Sequence, residues 1–313
     1  MKIYLTLGIP ILLAIIFITN FKGGKKEKQL YSILEIYDIT TNKREIILEE
    51  KNHFEAPNWS MDGKFLIINS SGKLYKIDLD KKTKTLINTG FATNCNNDHG
   101  ITPDNKSIII SHHDETVVLN DDESWKNSRI YKLPIKGGIP QIITDKTPSF
   151  WHGISPDGQT LVYTAERNKV FNIYEINING GNERQLTNTN VLDDGPDFSP
   201  DGKYIYYNTF DSGSMEIWRM TKEGKLHEQL TKDEFSNWFP HPNPNGNNFV
   251  FISYDEDQGQ SHPAMKKVTL KLFDLKNNSI KTLCKFTGGQ GSINVPSWSP
   301  DGRRFAFVSY ELK

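Results

Sequence analysis

One short phrase recurs six times in this chain and constrains its fold more than any other feature. Each copy resembles Ser-Pro-Asp-Gly, and most copies continue into a β-rich run. From one aspartate to the next, the steps are 42, 53, 44, 44 and 56 residues, which is the period of a four-stranded propeller blade with two insertions. Six copies therefore predict six blades, with the phrase centred on Asp62, Asp104, Asp157, Asp201, Asn245 and Asp301.

Turn chemistry explains the phrase. Proline presets φ at the first central position of a turn, aspartate can bond its own downstream backbone, and glycine or asparagine accepts the positive φ of a tight hairpin. Apolar runs such as residues 204–207 follow the turn, then a run of alternating character such as 216–220, then a segment that ends in Gln-Leu-Thr at 229–231. Each blade is therefore expected to contain strands A, B, C and D from the axis outward.

The two ends of the chain complement each other. The last phrase lies only a dozen residues from the C-terminus, which leaves room for strands A and B of a sixth blade and no more. Residues 33–38 and 45–48 have the pattern of a C and D pair with no A and B before them. We predict that these N-terminal strands close the ring against the C-terminal blade, because closure hides both edges of an otherwise open sheet.

The repeat resembles that of the TolB family of six-bladed propellers, in which a Trp/Phe-Ser-Pro-Asp-Gly-Lys phrase precedes a strand and a later strand closes on Gln-Leu-Thr. The resemblance covers about residues 31–313 and implies an all-β, six-bladed β-propeller. More distantly, the repeat is similar to that of oligogalacturonate lyase and of the propeller part of prolyl-oligopeptidase-type peptidases. No Gly-x-Ser-x-Gly elbow occurs, so the peptidase resemblance ends at the repeat.

Composition removes some classes of function. With 37 basic and 38 acidic residues the net charge is −1, which gives no basis for nucleic-acid binding. The two cysteines, Cys95 and Cys284, have no neighbours at metal-ligand spacing and fall in different blades. We expect both to be free, buried thiols.

The N-terminus forms a separate element. Residues 1–21 are almost wholly apolar from Ile3 onward, which predicts an apolar helix acting as a signal peptide or signal anchor, and residues 22–30 form a polar linker before the propeller at 31–313. The lysines of the linker outnumber Lys2, and the positive-inside tendency opposes export. The TolB resemblance implies the opposite, namely a periplasmic protein or one anchored in the membrane and facing the periplasm, with residues 3–21 as the tether.

Candidate functional residues concentrate on one face of the expected ring. Because antiparallel strands alternate in direction, the B-to-C loops and the D-to-A connections share a face, and the Pro-Asp-Gly turns lie on the other. Histidines, carboxylates, carboxamides and aromatics converge on the first face, at the mouth of the central channel. The predicted ligand-binding residues are His99, Trp151, His152, Arg167, Asp194, Trp238, His241, His262, Gln290 and Asn294.

Two functions are compatible with these residues. The TolB resemblance implies a non-catalytic propeller that binds an envelope protein, a peptide or a glycan at the mouth. The alternative is a lyase resembling oligogalacturonate lyase, with Mn, Zn or Ca held by His152, His241, His262 and Gln290, and with Arg167 or Lys266 binding a uronate carboxylate. A third interpretation is structural, since propeller channels are generally polar and a histidine before a buried strand often bonds only to a neighbouring loop.

Overall fold

The computed structural model describes residues 28–114 and 121–313, which form a ring of six antiparallel β-sheets. The predicted N-terminal apolar helix lies outside the described residues. Within the described ranges no helix is long and apolar enough to cross a membrane. The predicted six-bladed propeller is confirmed, and each phrase opens the hairpin between the two inner strands of its blade.

The first three blades each contain four strands in chain order from the axis outward. The first blade consists of β3 (Glu55–Trp59), β4 (Phe65–Ser70), β5 (Lys73–Asp78) and β6 (Lys84–Leu86). The second consists of β7 (Cys95–Ile101), β8 (Ser107–His113), a 3₁₀ helix (Asp121–Asn127), β9 (Ser128–Pro134) and β10 (Gln141–Ile142). The third consists of β11 (Ser149–Ile154), β12 (Thr160–Arg167), β13 (Val170–Asn177) and β14 (Arg184–Gln185).

The fourth and fifth blades repeat this order, and the sixth combines both ends of the chain. The fourth consists of β15 (Asp193–Phe198), β16 (Tyr204–Thr209), β17 (Glu216–Thr221) and β18 (Glu228–Gln229). The fifth consists of β19 (Ser236–Pro242), β20 (Asn248–Tyr254), β21 (Lys266–Asp274) and β22 (Ser279–Gly288). The sixth consists of β23 (Arg304–Leu312), β1 (Leu30–Asp38) and β2 (Lys43–Glu50).

Ring closure by the N-terminal strands is confirmed. Strand β1 pairs antiparallel with β23 in unbroken register, from Leu30 opposite Leu312 to Asp38 opposite Arg304. The buried carboxylate of Glu35 accepts a hydrogen bond from Ser309 of β23 at 2.6 Å and one from Arg44 of β2 at 2.7 Å. The expected A strand of this blade is reduced to a single bridge between Trp298 and Phe305.

Hydrogen bonds within the phrase explain its sequence. In the fourth copy, the Ser199 hydroxyl donates to Asp201 at 2.7 Å and accepts from the backbone N–H of Tyr204 at 2.9 Å. The same Asp201 carboxylate accepts from the N–H of Lys203, and Gly202 between them has a φ of 69°. The serine and aspartate thus lock the turn and start the second strand of the blade, while glycine supplies the left-handed backbone that the turn requires.

The core lies between neighbouring blades. Apolar side chains of one sheet pack on those of the next, as where Trp151 and Tyr163 of the third blade meet Ile109 and Ile130 of the second. Both cysteines are free, as expected, with Cys95 buried and Cys284 partly buried. The ring therefore has a continuous apolar wall, which leaves the polar side chains at the mouth as the place to look for function.

Candidate functional site

The inner strands are bulged at the mouth, the face that carries the B-to-C loops and the D-to-A connections. A bulge places two residues opposite one and re-aims the side chains beside it. Here it interrupts the straight alternation of side chains along the inner strand of each of the first five blades. The pairing register shifts between Glu55 and Asn58, Cys95 and His99, Trp151 and Gly153, Asp194 and Asp197, and Trp238 and His241.

Phe239 lies in a strained backbone conformation within the fifth of these bulges. Its φ is 53°, an uncommon value for a bulky residue, and its N–H donates to the Asn208 side chain at 3.0 Å. Its ring lies with the centroid 6.1 Å from that of His152 and 5.2 Å from that of His262. Because such strain persists where the surroundings over-determine it, and often at functional sites, Phe239 marks the place where the two histidines meet.

Side chains from all six blades form a closed circuit at the mouth, which we call the mouth ring. It contains three carboxyl groups, two imidazoles and a pair of carboxamides. Its members, in blade order, are Glu55, Asp98, His152, Asp194, His262 and the pair Gln290 and Asn294.

The contacts from the third blade to the sixth are direct. His152 Nε2 lies 3.1 Å from one oxygen of Asp194, and His262 Nε2 lies 3.5 Å from the other. The side chain of Gln290 adjoins His262 and favours its protonated form. Asn294 donates to Gln290 Oε1 at 2.8 Å. Asp194 therefore contacts both imidazoles, and the contacts continue from His262 through the side-chain amides of Gln290 and Asn294.

Backbone bonds and electrostatic interactions complete the circuit. Asn294 accepts from the N–H of Gly291 at 2.7 Å, and the carbonyl of Gly291 accepts from the N–H of Ala56 at 2.7 Å. This joins the sixth blade to the first beside Glu55. The carboxyl groups of Glu55 and Asp98 repel each other, which helps to raise the pKa of Asp98.

Burial and charge set the protonation of the ring. Burial lowers the pKa of His152, but Asp98 and Asp194 outweigh it and raise the pKa to about 9. Burial would raise the pKa of Asp194, yet His152 and His262 hold it down at about 2. Burial dominates for Asp98, whose pKa rises to about 7, and it also raises the pKa of Glu55. At neutral pH the ring therefore holds a charged pair, His152 with Asp194. Beside it lie the carboxyl groups of Glu55 and Asp98, whose ionisation is disfavoured by burial.

Contacts that reach across the channel lie beside the ring, and we call them the floor of the mouth. His152 Nδ1 lies 3.4 Å from the backbone carbonyl of Asn294, although their blades, the third and the sixth, face each other across the axis. His241 of β19 makes a similar contact. Its Nδ1 lies 3.2 Å from Asp197, and its Nε2 lies 2.8 Å from the carbonyl of Ile293. These contacts hold both histidines against residues 293–294, which precede the sixth blade.

The structure brings together half of the residues singled out from the sequence. His152, Asp194, His262, Gln290 and Asn294 belong to the mouth ring.

The other five lie elsewhere. His99 is fully buried against the carbonyl of Ile67 at 3.4 Å. Arg167 pairs with Glu183 at 2.8 Å. Trp151 belongs to the core between the second and third blades, Trp238 packs in the core of the fifth blade with its ring centroid 4.7 Å from that of His262, and His241 forms part of the floor.

Sequence reasoning missed Glu55 and gave Asp98 no role. A positional signal for Glu55 was present. Glu55, Asp194 and Asn294 each stand six residues before the proline position of their phrases, and all three are in the ring. Comparing that offset across the copies would have found Glu55. His99 and His152 stand only four residues before the prolines of their phrases, so a comparison at their offset does not reach Glu55.

The structure places the four residues predicted to hold a metal in two different settings. Three of the four expected ligands, His152, His262 and Gln290, lie in the ring, whereas both nitrogens of His241 are already bonded to protein groups. Among the described residues, no group of three or more His, Cys, Asp or Glu side chains is arranged so that it could hold a metal ion.

The fold and the phrase define a class, the six-bladed propellers with a Ser-Pro-Asp-Gly repeat, and comparisons with known proteins specify the family. Residues 124–268 match the family model of the TolB β-propeller domain (PD40). An uncharacterized protein of Agrobacterium fabrum, Atu1656, is 44% identical over 280 residues, covering 89% of this chain and 92% of that protein. A solved structure from Agrobacterium tumefaciens, provisionally assigned as TolB, is 42% identical with a TM-score of 0.85, and the match covers 92% of this chain and 100% of that one. The chain belongs to the TolB-type β-propeller family.

More distant structures share the fold alone. TolB from Acinetobacter baumannii is 18% identical with a TM-score of 0.64, covering 85% of this chain and 65% of that one. An oligogalacturonate lyase in complex with manganese is 16% identical with a TM-score of 0.56, covering 89% of this chain and 82% of that one. The lyase is therefore a neighbour in architecture, and this likeness carries no residue roles to the chain.

Proposed function

We propose that this chain is a non-catalytic binding propeller that holds a protein partner at the mouth ring. The convergence of polar side chains from six blades at one end of the channel carries the proposal. It concentrates ionisable groups at one partly exposed spot. Membership of the TolB-type family supports a protein as the partner, with a glycan as the other outcome of the test.

Three members of the ring are partly exposed and open to a partner, namely Glu55, His262 and Gln290. The side chains of His262 and Glu55 are 26% and 17% exposed, whereas those of His152 and Asp194 are below a tenth. The exposed members would contact the partner directly, and the buried pair would hold His262 in place. Removing a buried hydrogen-bonding partner typically costs about 1–3 kcal/mol.

The test compares variants on opposite faces of the ring. Asp194→Asn and His262→Ala alter the mouth, and Asp157→Asn alters a turn on the far face, where asparagine already stands in the fifth copy at Asn245. Immobilised proteins would be incubated with an envelope extract and with a glycan array. We expect the unchanged protein and Asp157→Asn to retain the same protein partner and the two mouth variants to lose most of it. Equal retention by all four would refute a mouth-ring function.

We further propose an envelope location. The TolB-type family membership and the apolar stretch at residues 3–21 support it. Cell fractionation with an antibody to the propeller would test it. Recovery with cytoplasmic markers alone would contradict the proposal.

A metal-dependent lyase is the second candidate, favoured by the meeting of His152 and His262 on one aspartate beside Gln290. In that case these residues would hold a divalent ion, which would supply Lewis-acid chemistry to a uronate substrate. Elemental analysis of the purified protein decides the point. Stoichiometric manganese, zinc or calcium together with cleavage of oligogalacturonate would favour the lyase, and a metal-free protein that is inactive after metal addition would eliminate it.

A further inference from the structure

We propose that the mouth ring recognises a primary ammonium group on a polypeptide partner, either a lysine side chain or an N-terminal amine. This inference rests on the proposed binding function and specifies the chemistry that the ring would recognise.

The first argument is the charge balance of the ring. Glu55, Asp98 and Asp194 supply three carboxyl groups from three blades. Within the ring, the protonated imidazole of His152 supplies the positive charge. His53 lies beside Glu55, with its Nε2 4.0 Å from Glu55 Oε2, whereas Arg167 pairs with Glu183 outside the ring. Burial, together with repulsion from Asp194 and Glu55, raises the pKa of Asp98, so the site disfavours ionised carboxyl groups that have no cation beside them. A cationic ligand would relieve that repulsion.

The second argument is the number and arrangement of acceptors. A primary ammonium has three N–H donors and no acceptor, so it suits separate oxygens that approach from different directions. Guanidinium is a planar fork that favours two oxygens of one carboxylate. Because His152 and His262 already engage both oxygens of Asp194, the ring instead offers the carboxyl groups of Glu55 and Asp98, which lie on different blades. A divalent metal would require closer convergence of ligands than the described residues provide.

The third argument is an unpartnered hydroxyl beside the acidic side of the ring. Tyr310 is 2% exposed, and its Oη has no hydrogen-bond partner among the described residues. Tyr310 Oη and Glu55 Oε2 lie 2.5 and 2.6 Å from the point that a β-carbon on Gly291 would occupy. The two oxygens are therefore no more than about 5 Å apart, as that geometry requires. A buried hydroxyl without a partner is costly, and a hydrogen-bond donor bound between these oxygens would satisfy it.

The route of entry suits a small cationic group on a flexible stem. The side chains of Glu55 and His262 are partly exposed, whereas His152 is buried, with its Nδ1 3.4 Å from the carbonyl of Asn294. An ammonium at the end of a four-carbon chain could enter while the partner backbone stays above the mouth. A folded surface could not reach the buried carboxyl groups in this way.

The experiment uses n-butylammonium as the probe and the full chain as the protein. Binding would be followed through the imidazole NMR signals of His152 and His262, assigned by substitution. Tetramethylammonium has the charge without N–H donors, and n-butanol has the stem without the charge. We expect n-butylammonium to shift both signals in a saturable manner and to bind at least tenfold more tightly than either control. Equal binding of tetramethylammonium or n-butanol would overturn the proposal.

Variants assign the effect to the ring. Glu55→Gln, Asp98→Asn and Tyr310→Phe should each weaken n-butylammonium binding, about tenfold for the two carboxyl variants, while the far-face variant Asp157→Asn should bind normally. Circular dichroism would verify the fold, and Tyr310→Phe keeps the test decisive if a carboxyl variant misfolds. Unchanged binding in all well-folded ring variants would refute the proposal.

Two further probes separate the sources of the ammonium. Nα-acetyl-lysine methylamide presents a side-chain amine and glycine methylamide a chain-terminal one, and saturable binding of either supports the proposal. If mouth variants lose the natural partner but n-butylammonium neither binds nor competes with it, the ammonium inference fails and the binding function stands. If mouth variants retain the partner, the binding function itself fails.

Discussion

Removing residues 1–50 should abolish the stable fold, because it deletes the strands β1 and β2 that close the ring. Ile33, Leu34, Ile36 and Tyr37 of β1 are each 5% exposed or less. Burying one such side chain contributes about 1.5–3 kcal/mol, so the four together contribute about 6–12 kcal/mol. The total stability of a domain is about 5–15 kcal/mol, so this loss alone is comparable with the whole. The deletion also exposes the full edge of β23 to intermolecular pairing.

Urea denaturation followed by circular dichroism, with size-exclusion chromatography, would measure this effect. The matched control removes residues 1–28 only, keeps the whole of β1, and should unfold at the same urea concentration as the full chain. A synthetic peptide of residues 28–50, added in trans, should restore part of the lost cooperativity if pairing with β23 is the cause. A chain starting at residue 51 that is monomeric and unfolds cooperatively at an unchanged midpoint would refute the closure argument.

Two further perturbations test the turn and the ring. Gly202→Val should lower the free energy of unfolding by about 1–3 kcal/mol, because φ at Gly202 is 69° and a β-branched residue is strained there. The substitution should leave partner binding intact. Loss of binding at an unchanged urea midpoint would mean that the partner binds the face that carries this turn. The second concerns His152, whose pKa is raised in the fold to about 9 from about 6.5 in an unfolded chain. Its protonation therefore stabilises the fold fully below pH 6.5, and this contribution is lost as the pH rises through 9. The urea midpoint of the unchanged protein should fall between pH 7 and 10 more steeply than that of His152→Gln, and parallel curves would contradict the assignment.

The fold could be predicted from the sequence because its determinants are local and repeated. Four of the six turns depend on a serine, an aspartate and a glycine within four residues. In the fourth copy, Ser199 and Asp201 make their bonds to groups no more than five residues away. Closure was also predictable, because a blade that lacks its outer strands at one end of a chain needs partners at the other. Blade number, strand order and the pairing of β1 with β23 follow from these two facts.

The site was harder to predict because a bulge changes which residue faces the channel. The inner strand has one extra residue in four of the blades and two in the second blade. Histidines at the same offset from their phrases reach different places, with His152 in the ring and His99 buried against its neighbouring strand. His262 belongs to the ring although it comes from a loop with no counterpart in the repeat. A repeat fixes where backbones lie to within a residue, whereas a binding site depends on which way each side chain turns. The mouth ring therefore became visible only when distances between blades were known, and Asp194, the residue that joins its two imidazoles, is its most informative member.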